Sequence, residues 1–305
     1  MTLAVLCPGQ GAQHPAMLDL ALAHADGRRV LEATAAALSE DPRAWLADDA
    51  TMFANANAQP LICAGQLAQW AVLRRALPTP RAFAGYSVGE LACYGLADAV
   101  EAGTLAQLAR QRAVAMNAVA TRRPGGLVAL RGLARAAVAA LCAGLEAEVA
   151  IAIADDAFVV GGTEAALAAI LTRAAGRGAQ ATCLRVGVAS HTPLLASAVA
   201  PFRATLQRSP LRAPSVPIVA GVDAEPVTTR ERAIATLAAQ VAQTVEWAQC
   251  LDALYERGCR VYLELGPGHA LSRMVSARFD DADARAVDDF SSVDAVAAWA
   301  AKPRD

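Results

Sequence analysis

Apolar residues fall into two rhythms along this chain: short unbroken runs, and longer stretches where they recur every three or four positions. The first rhythm predicts buried strands and the second amphipathic helices. Leu3-Ala4-Val5-Leu6-Cys7 is an apolar run stopped by Pro8-Gly9, and predicts a strand at 3–7. Helical spacing follows at 16–39, and again at 60–77 after the polar stretch Asn55-Ala56-Asn57-Ala58-Gln59. Pro78 and Pro80 punctuate, Arg81-Ala82-Phe83-Ala84 reads as a second strand, and helices are predicted at 88–93 and 105–119. Strands alternating with helices predict a parallel sheet of the α/β class.

The rhythm changes between 121 and 188. A strand at 126–131, a helix at 134–144, two strands at 149–154 and 158–161 around Asp155-Asp156, a helix at 163–176 capped by Thr163, and a strand at 179–186 follow in order. That β-α-β-β-α-β order is ferredoxin-like. The expected organisation is therefore a large α/β domain from 1–120 and 189–305, into which a small ferredoxin-like domain at 121–188 is inserted. Later elements are helices at 193–206, 230–243 and 248–257, strands at 216–222 and 261–265, and Gly266-Pro267-Gly268 opening a last core helix.

Composition narrows the function classes. The chain is 55% hydrophobic and 18% charged, which excludes disorder. No apolar run is long enough to span a membrane, and the net charge of −2 gives no electrostatic case for nucleic acid. The seven cysteines are odd in number, scattered and without a C-x-x-C pair, so they read as buried free thiols in a reducing cytosol, with no metal site. Residues 1–7 lack a basic region ahead of the apolar run, so no secretory signal is expected and the location expected is cytoplasmic.

Gly85-Tyr86-Ser87-Val88-Gly89 is a G-x-S-x-G between a strand and a helix. In that setting it predicts a nucleophile elbow, with the serine on a sharp turn and its hydroxyl at the helix N-terminus. The plainer alternative is a glycine-flanked serine capping a helix. A serine nucleophile needs a base within hydrogen-bond reach. Of the four histidines, His191 in Val188-Ala189-Ser190-His191-Thr192-Pro193 is the best placed, after a predicted strand and before a helix opened by a proline. His14 follows a glycine loop and is second; His24 reads as solvent-facing and His269 as a helix start. Asp98, Asp155 and Asp156 lie between Ser87 and His191, but none is an obvious third member, so the constellation reads as a dyad. Arg112, on the residues alone, reads as a helix-surface arginine.

Five motifs occur in order: Pro8-Gly9-Gln10-Gly11-Ala12-Gln13; Gly85-Tyr86-Ser87-Val88-Gly89-Glu90; Gln111-Arg112 with Met116; Ser190-His191-Thr192-Pro193; and Glu264-Leu265-Gly266-Pro267-Gly268. Together they resemble the malonyl-CoA:acyl-carrier-protein transacylase family, over almost the whole chain. The resemblance implies a hydrolase-like parallel-sheet large domain with an inserted ferredoxin-like small domain. It also implies that Ser87 is acylated, with His191 as general base and then general acid. The backbone N–H groups of Gln13 and Val88 would form the oxyanion hole, Arg112 would grip a malonyl carboxylate, and the Gln240 backbone carbonyl would orient the histidine. The implied partners are malonyl-CoA, used as a coenzyme A thioester substrate with no bound cofactor, and an acyl carrier protein.

Two positions depart from the pattern. Tyr86 stands where the fatty-acid-synthesis enzymes usually carry histidine, and Ala154-Asp155-Asp156-Ala157 replaces an asparagine and a glutamine. The Gly-Tyr-Ser-Val-Gly-Glu elbow and Gln13-His14-Pro15-Ala16-Met17-Leu18 are more similar to the transacylase (epsilon) subunit of bacterial malonate decarboxylase. That subfamily is the expectation, with other decarboxylase subunits as possible partners. Malonyl loading for fatty-acid or polyketide synthesis is the alternative, and a serine hydrolase or thioesterase, or a non-catalytic assembly subunit, are alternatives of other classes.

Overall fold

The computed structural model describes residues 2–303. Ten strands form two sheets: β1 (Thr2–Cys7), β2 (Ala82–Gly85), β3 (Gly125–Arg131), β4 (Ala147–Ala154), β5 (Ala157–Thr163), β6 (Gln180–Cys183), β7 (Ile218–Val219), β8 (Pro226–Val227), β9 (Cys259–Glu264) and β10 (Asp283–Ala286). The larger sheet has the order β10-β9-β1-β2-β7-β8 and is parallel except for the β7–β8 pair.

The unbroken apolar run of β1 is explained by its central place, covered on both faces. Successive side chains point to opposite sides of a strand. Leu3, Val5 and Cys7 accordingly pack under the helices Asn55–Leu73, Val88–Leu96 and Ala102–Ala120, whereas Ala4 and Leu6 pack against Trp247, Leu251 and Leu271 on the other face. Leu127, Ile151 and Val159 of the smaller sheet join that second layer, which seats one sheet on the other.

The smaller sheet, β4-β5-β3-β6, is antiparallel throughout and carries the helices Arg135–Cys142 and Glu164–Ala175 in the expected β-α-β-β-α-β order. Thr163 caps the second helix, its hydroxyl accepting from Ala166 N–H at 3.3 Å. Its β4 edge is extended by Val245, whose N–H donates to Ala150 O and whose carbonyl accepts from Ala152 N–H, both at 2.9 Å.

Several expected bounds shift. The helix predicted at 60–77 begins at Asn55 and runs through Pro60 to Leu73. Its polar opening is part of the helix: Gln59 is fully buried, and Asn55 donates to Asn117 on the helix Ala102–Ala120. The 16–39 stretch breaks at His24 into Asp19–Ala23 and Ala25–Leu38. The strand expected at 179–186 ends at Cys183, and the one at 216–222 shrinks to two residues. The helix Ala270–Arg278 is followed by the unpredicted edge strand β10 and a helix at Val293–Ala301. All seven cysteines are free thiols, buried as expected except for Cys183. No helix among the described residues is long and apolar enough to cross a membrane.

Candidate active site

β2 runs into Tyr86 and Ser87, and the helix Val88–Leu96 starts immediately afterwards. Ser87 has φ 57° and ψ −120°, a conformation that costs a non-glycine residue on the order of 1–3 kcal/mol. The turn is over-determined by its glycines. A Cβ on Gly85 would overlap the backbone of Glu90, and one on Gly89 would overlap the carbonyl of Cys7. Strand, turn and helix can close this tightly only without those side chains.

Ser87 Oγ lies 2.8 Å from His191 Nε2. The other ring nitrogen, Nδ1, lies 2.6 Å from the backbone carbonyl of Gln240. A carbonyl can only accept, so Nδ1 carries the proton and Nε2 presents its lone pair to the serine hydroxyl. His191 sits in a loop rather than at a strand end, with φ 62°, and its N–H donates to Val241 O at 2.9 Å. Ring and backbone are thus both fastened to residues 240–241. Burial and the charge of Arg112 hold the imidazole at about 3, well below its ordinary value, so it is neutral at physiological pH.

The other histidines lie elsewhere. His14 faces Asp288 at 3.8 Å, His269 faces Asp289 at 3.3 Å, and His24 is exposed. Asp98 pairs with Arg74, and Asp155 and Asp156 sit exposed on the β4–β5 turn, so none of these three stands behind His191. The Gln240 carbonyl occupies that place.

Arg112 is not on the helix surface. It is 1% exposed, and its guanidinium donates from Nη1 to Gln59 Oε1 at 2.9 Å and from Nη2 to Gln240 Oε1 at 3.0 Å. Burial lowers its pKa to about 10, which leaves it charged at neutral pH. Both partners are neutral amides. The Gln240 amide nitrogen in turn donates to Glu90 Oε2 at 2.6 Å and to the Ser87 carbonyl at 3.2 Å. Glu90 is fully buried and also accepts from Gly221 N–H at 2.8 Å; desolvation raises its carboxyl to about 7 despite those bonds.

Val88 opens its helix directly after the serine, where a first-turn N–H has no intrahelical partner. The loop carrying Gln13 runs past the elbow, with Gly9 against the Tyr86 carbonyl and Ser87. It is fastened by Gln66, which donates to Pro8 O at 2.7 Å, and by Gln69, which donates to Met17 O at 3.3 Å. Gln69 Oε1 also accepts from Gly266 N–H at 2.7 Å, joining the loop to the Glu264–Gly268 motif. Tyr86 meets Trp247 edge to face at 5.5 Å.

Sequence reasoning missed Gln59, Gln66, Gln69 and Glu90. The available signal was amides and a carboxylate inside otherwise apolar helical stretches, since buried polar side chains are retained where they have partners. The assembled site can attack a carbonyl carbon from Ser87 and can hold an anionic group near Arg112.

Known proteins resemble this chain over almost its whole length. The curated malonyl CoA-acyl carrier protein transacylase of Mycobacterium tuberculosis (strain ATCC 25618 / H37Rv) is 29% identical over 300 residues, covering 97% of this chain and 99% of that protein. The one from Escherichia coli (strain K12) is 27% identical over 306 residues, covering 96% and 98%. The crystal structure of an acyl-carrier-protein S-malonyltransferase from Burkholderia pseudomallei 1710b superposes with a TM-score of 0.91 at 28% identity, covering 97% and 99%. The acyl transferase domain family matches residues 5–300, a span that takes in the serine elbow, His191 and Arg112, and the chain belongs to that family.

Proposed function

We propose that this protein is an acyltransferase that moves a malonyl group from malonyl-CoA to the thiol of an acyl carrier protein. The observation that carries the proposal is Arg112: a charged guanidinium held out of water, partnered only by amides, beside a serine–histidine pair. An esterase for neutral acyl groups has no use for that cation. A malonyl carboxylate can pair with it through the planar guanidinium fork.

Ser87 Oγ attacks the thioester carbonyl while its proton passes to His191 Nε2. The backbone N–H groups of Gln13 and Val88 receive the negative charge of the tetrahedral intermediate. The proton then goes from His191 to the departing coenzyme A sulfur, leaving Ser87 malonylated. The carrier thiol repeats the sequence in reverse order, losing its proton to His191 and releasing Ser87. The Gln240 carbonyl keeps the imidazole in the required tautomer throughout. This route uses coenzyme A only as part of the substrate, and a cytoplasmic location is proposed with it.

The names of the relatives favour an acyl carrier protein as acceptor, as in loading for fatty-acid or polyketide synthesis, over the malonate decarboxylase carrier suggested by Tyr86 and residues 13–18. Incubation with malonyl-CoA should add one malonyl mass to the peptide carrying Ser87, and that label should pass to a phosphopantetheine-bearing carrier protein. A label on a cysteine contradicts the serine route; loss of the label to water rather than to the carrier favours a hydrolase. A decarboxylase carrier subunit that outperforms a general acyl carrier protein as acceptor restores the decarboxylase assignment.

A further inference from the structure

Arg112 has a counter-charge, but one side chain away. Its Nη2 donates to Gln240 Oε1 at 3.0 Å, and Gln240 Nε2 donates to Glu90 Oε2 at 2.6 Å. A single amide therefore bridges guanidinium and carboxylate, keeping them from direct contact. Glu90 is 0% exposed, and its Oε1 has no hydrogen-bond partner. Two N–H bonds, from Gly221 and Gln240, support this buried carboxylate, and the full positive charge that offsets its own lies down the bridge on Arg112.

A malonyl carboxylate arriving at Arg112 places two carboxylates around one cation in a dry site. Like charges sharing such a site cannot both stay ionised without a large cost, so one gains a proton. The substrate carboxylate is in direct reach of the guanidinium and keeps its charge; Glu90 is the more remote. We propose that Glu90 is the resting counter-ion of Arg112 and is protonated from solvent when a malonyl carboxylate takes over that cation, so that malonyl loading is linked to proton uptake. This rests on the malonyl assignment above.

The other groups around Glu90 do not replace it. Cys93 and Tyr94 on its own helix, and Cys250 on the helix Trp247–Glu256, are buried and held protonated by desolvation. Asp223, beyond β7, is exposed and paired with Arg232 at 2.9 Å. His191 starts from about 3, so even a substantial rise leaves it mostly neutral above pH 7. Glu90 starts at about 7, where a modest rise moves a proton. The transfer itself is proton-neutral, because the Ser87 hydroxyl proton leaves on the coenzyme A thiol. Glu90 touches no reacting atom and is a positioning residue.

The test is proton uptake per acyl-enzyme formed, read with an indicator dye in weak buffer at about pH 7.5 and normalised by mass spectrometry. Wild type should take up roughly half a proton per malonyl-enzyme and essentially none per acetyl-enzyme. Glu90→Gln should abolish the malonyl-dependent uptake, and Glu90→Asp, which keeps a titrating carboxyl, should retain it. Equal uptake with malonyl and acetyl overturns the proposal, as does full uptake in Glu90→Gln. If the malonyl preference is present and lost in Arg112→Ala, yet wild type takes up no proton, only the role of Glu90 fails. A wild type that forms no malonyl-enzyme contradicts the malonyl assignment and this linkage together.

Discussion

His191 Nδ1 and the backbone carbonyl of Gln240, 2.6 Å apart, take the place that a carboxylate fills behind the histidine of a serine triad. A carbonyl fixes the tautomer as a carboxylate does, but adds no full negative charge to stabilise an imidazolium. His191 accordingly stays neutral in the resting protein, and in the proposed mechanism it gains a proton only in passing.

His191→Ala should slow both acylation and deacylation by about three orders of magnitude or more, as removal of the base does in related dyads and triads. Single-turnover rates with malonyl-CoA and then with carrier protein measure the two steps separately. Near-normal turnover would move the base elsewhere, with His14 the first residue to examine.

The low value of His191, about 3, sets the acid limb. A base held neutral by burial works above that value, so acylation by acetyl-CoA should be flat from about pH 7 down to about pH 5, and fall only as protonation sets in below that. Beside Arg112, burial raises the Glu90 carboxyl to about 7. Malonyl kcat/KM should therefore decline as pH rises through that region while acetyl kcat/KM does not. Matching profiles for the two acyl groups contradict this assignment.

The same shifts bear on folding. Glu90 is raised from 4.5 to about 7, so the stability it supplies is fully present below pH 4.5 and lost as pH rises through 7. Glu90→Gln removes that loss. The melting temperature of the variant relative to wild type should consequently be higher at pH 8.5 than at pH 6, read by calorimetry in matched buffers. A difference that does not change with pH contradicts a titrating Glu90.

Gln66→Leu leaves the Pro8 carbonyl without its donor, a loss on the order of 1–3 kcal/mol for a buried acceptor. Because Pro8 begins the loop that carries Gln13, kcat should fall by about tenfold or more with KM for malonyl-CoA little changed. Steady-state kinetics checks the split. Equal damage to kcat and KM, or none, would mean that the loop is held by other contacts.

Much of the architecture was legible because it rests on local signals. The apolar run of β1, the Thr163 cap and the alternating order of the smaller sheet each depend on near neighbours in sequence. Ser87 was legible because an elbow needs glycines at fixed offsets. What stayed hidden depends on long-range partners. The polar stretch 55–59 falls outside the helix predicted from the pattern, yet Gln59 is the acceptor for Arg112, 53 residues on. Arg112 looked superficial for the same reason, since nothing nearby in sequence announces Gln240, 128 residues away. β8 and β10 are short edge strands whose pairing, not composition, defines them.

Recognition of the malonyl carboxylate by Arg112 is read from the malonyl-to-acetyl ratio of acyl-enzyme formation in wild type, Arg112→Ala and Arg112→Lys. Truncating one partner of a buried charge pair costs on the order of 2–5 kcal/mol, so Arg112→Ala should lose malonyl transfer by at least about thirtyfold. Acetyl transfer should hold level or gain, because acetyl brings no carboxylate to a buried cation. Arg112→Lys should recover only part of the preference, since an ammonium cannot present the planar fork. A ratio unchanged across the three proteins would contradict the account, leaving Arg112 a structural cation and the malonyl group without its recognition element.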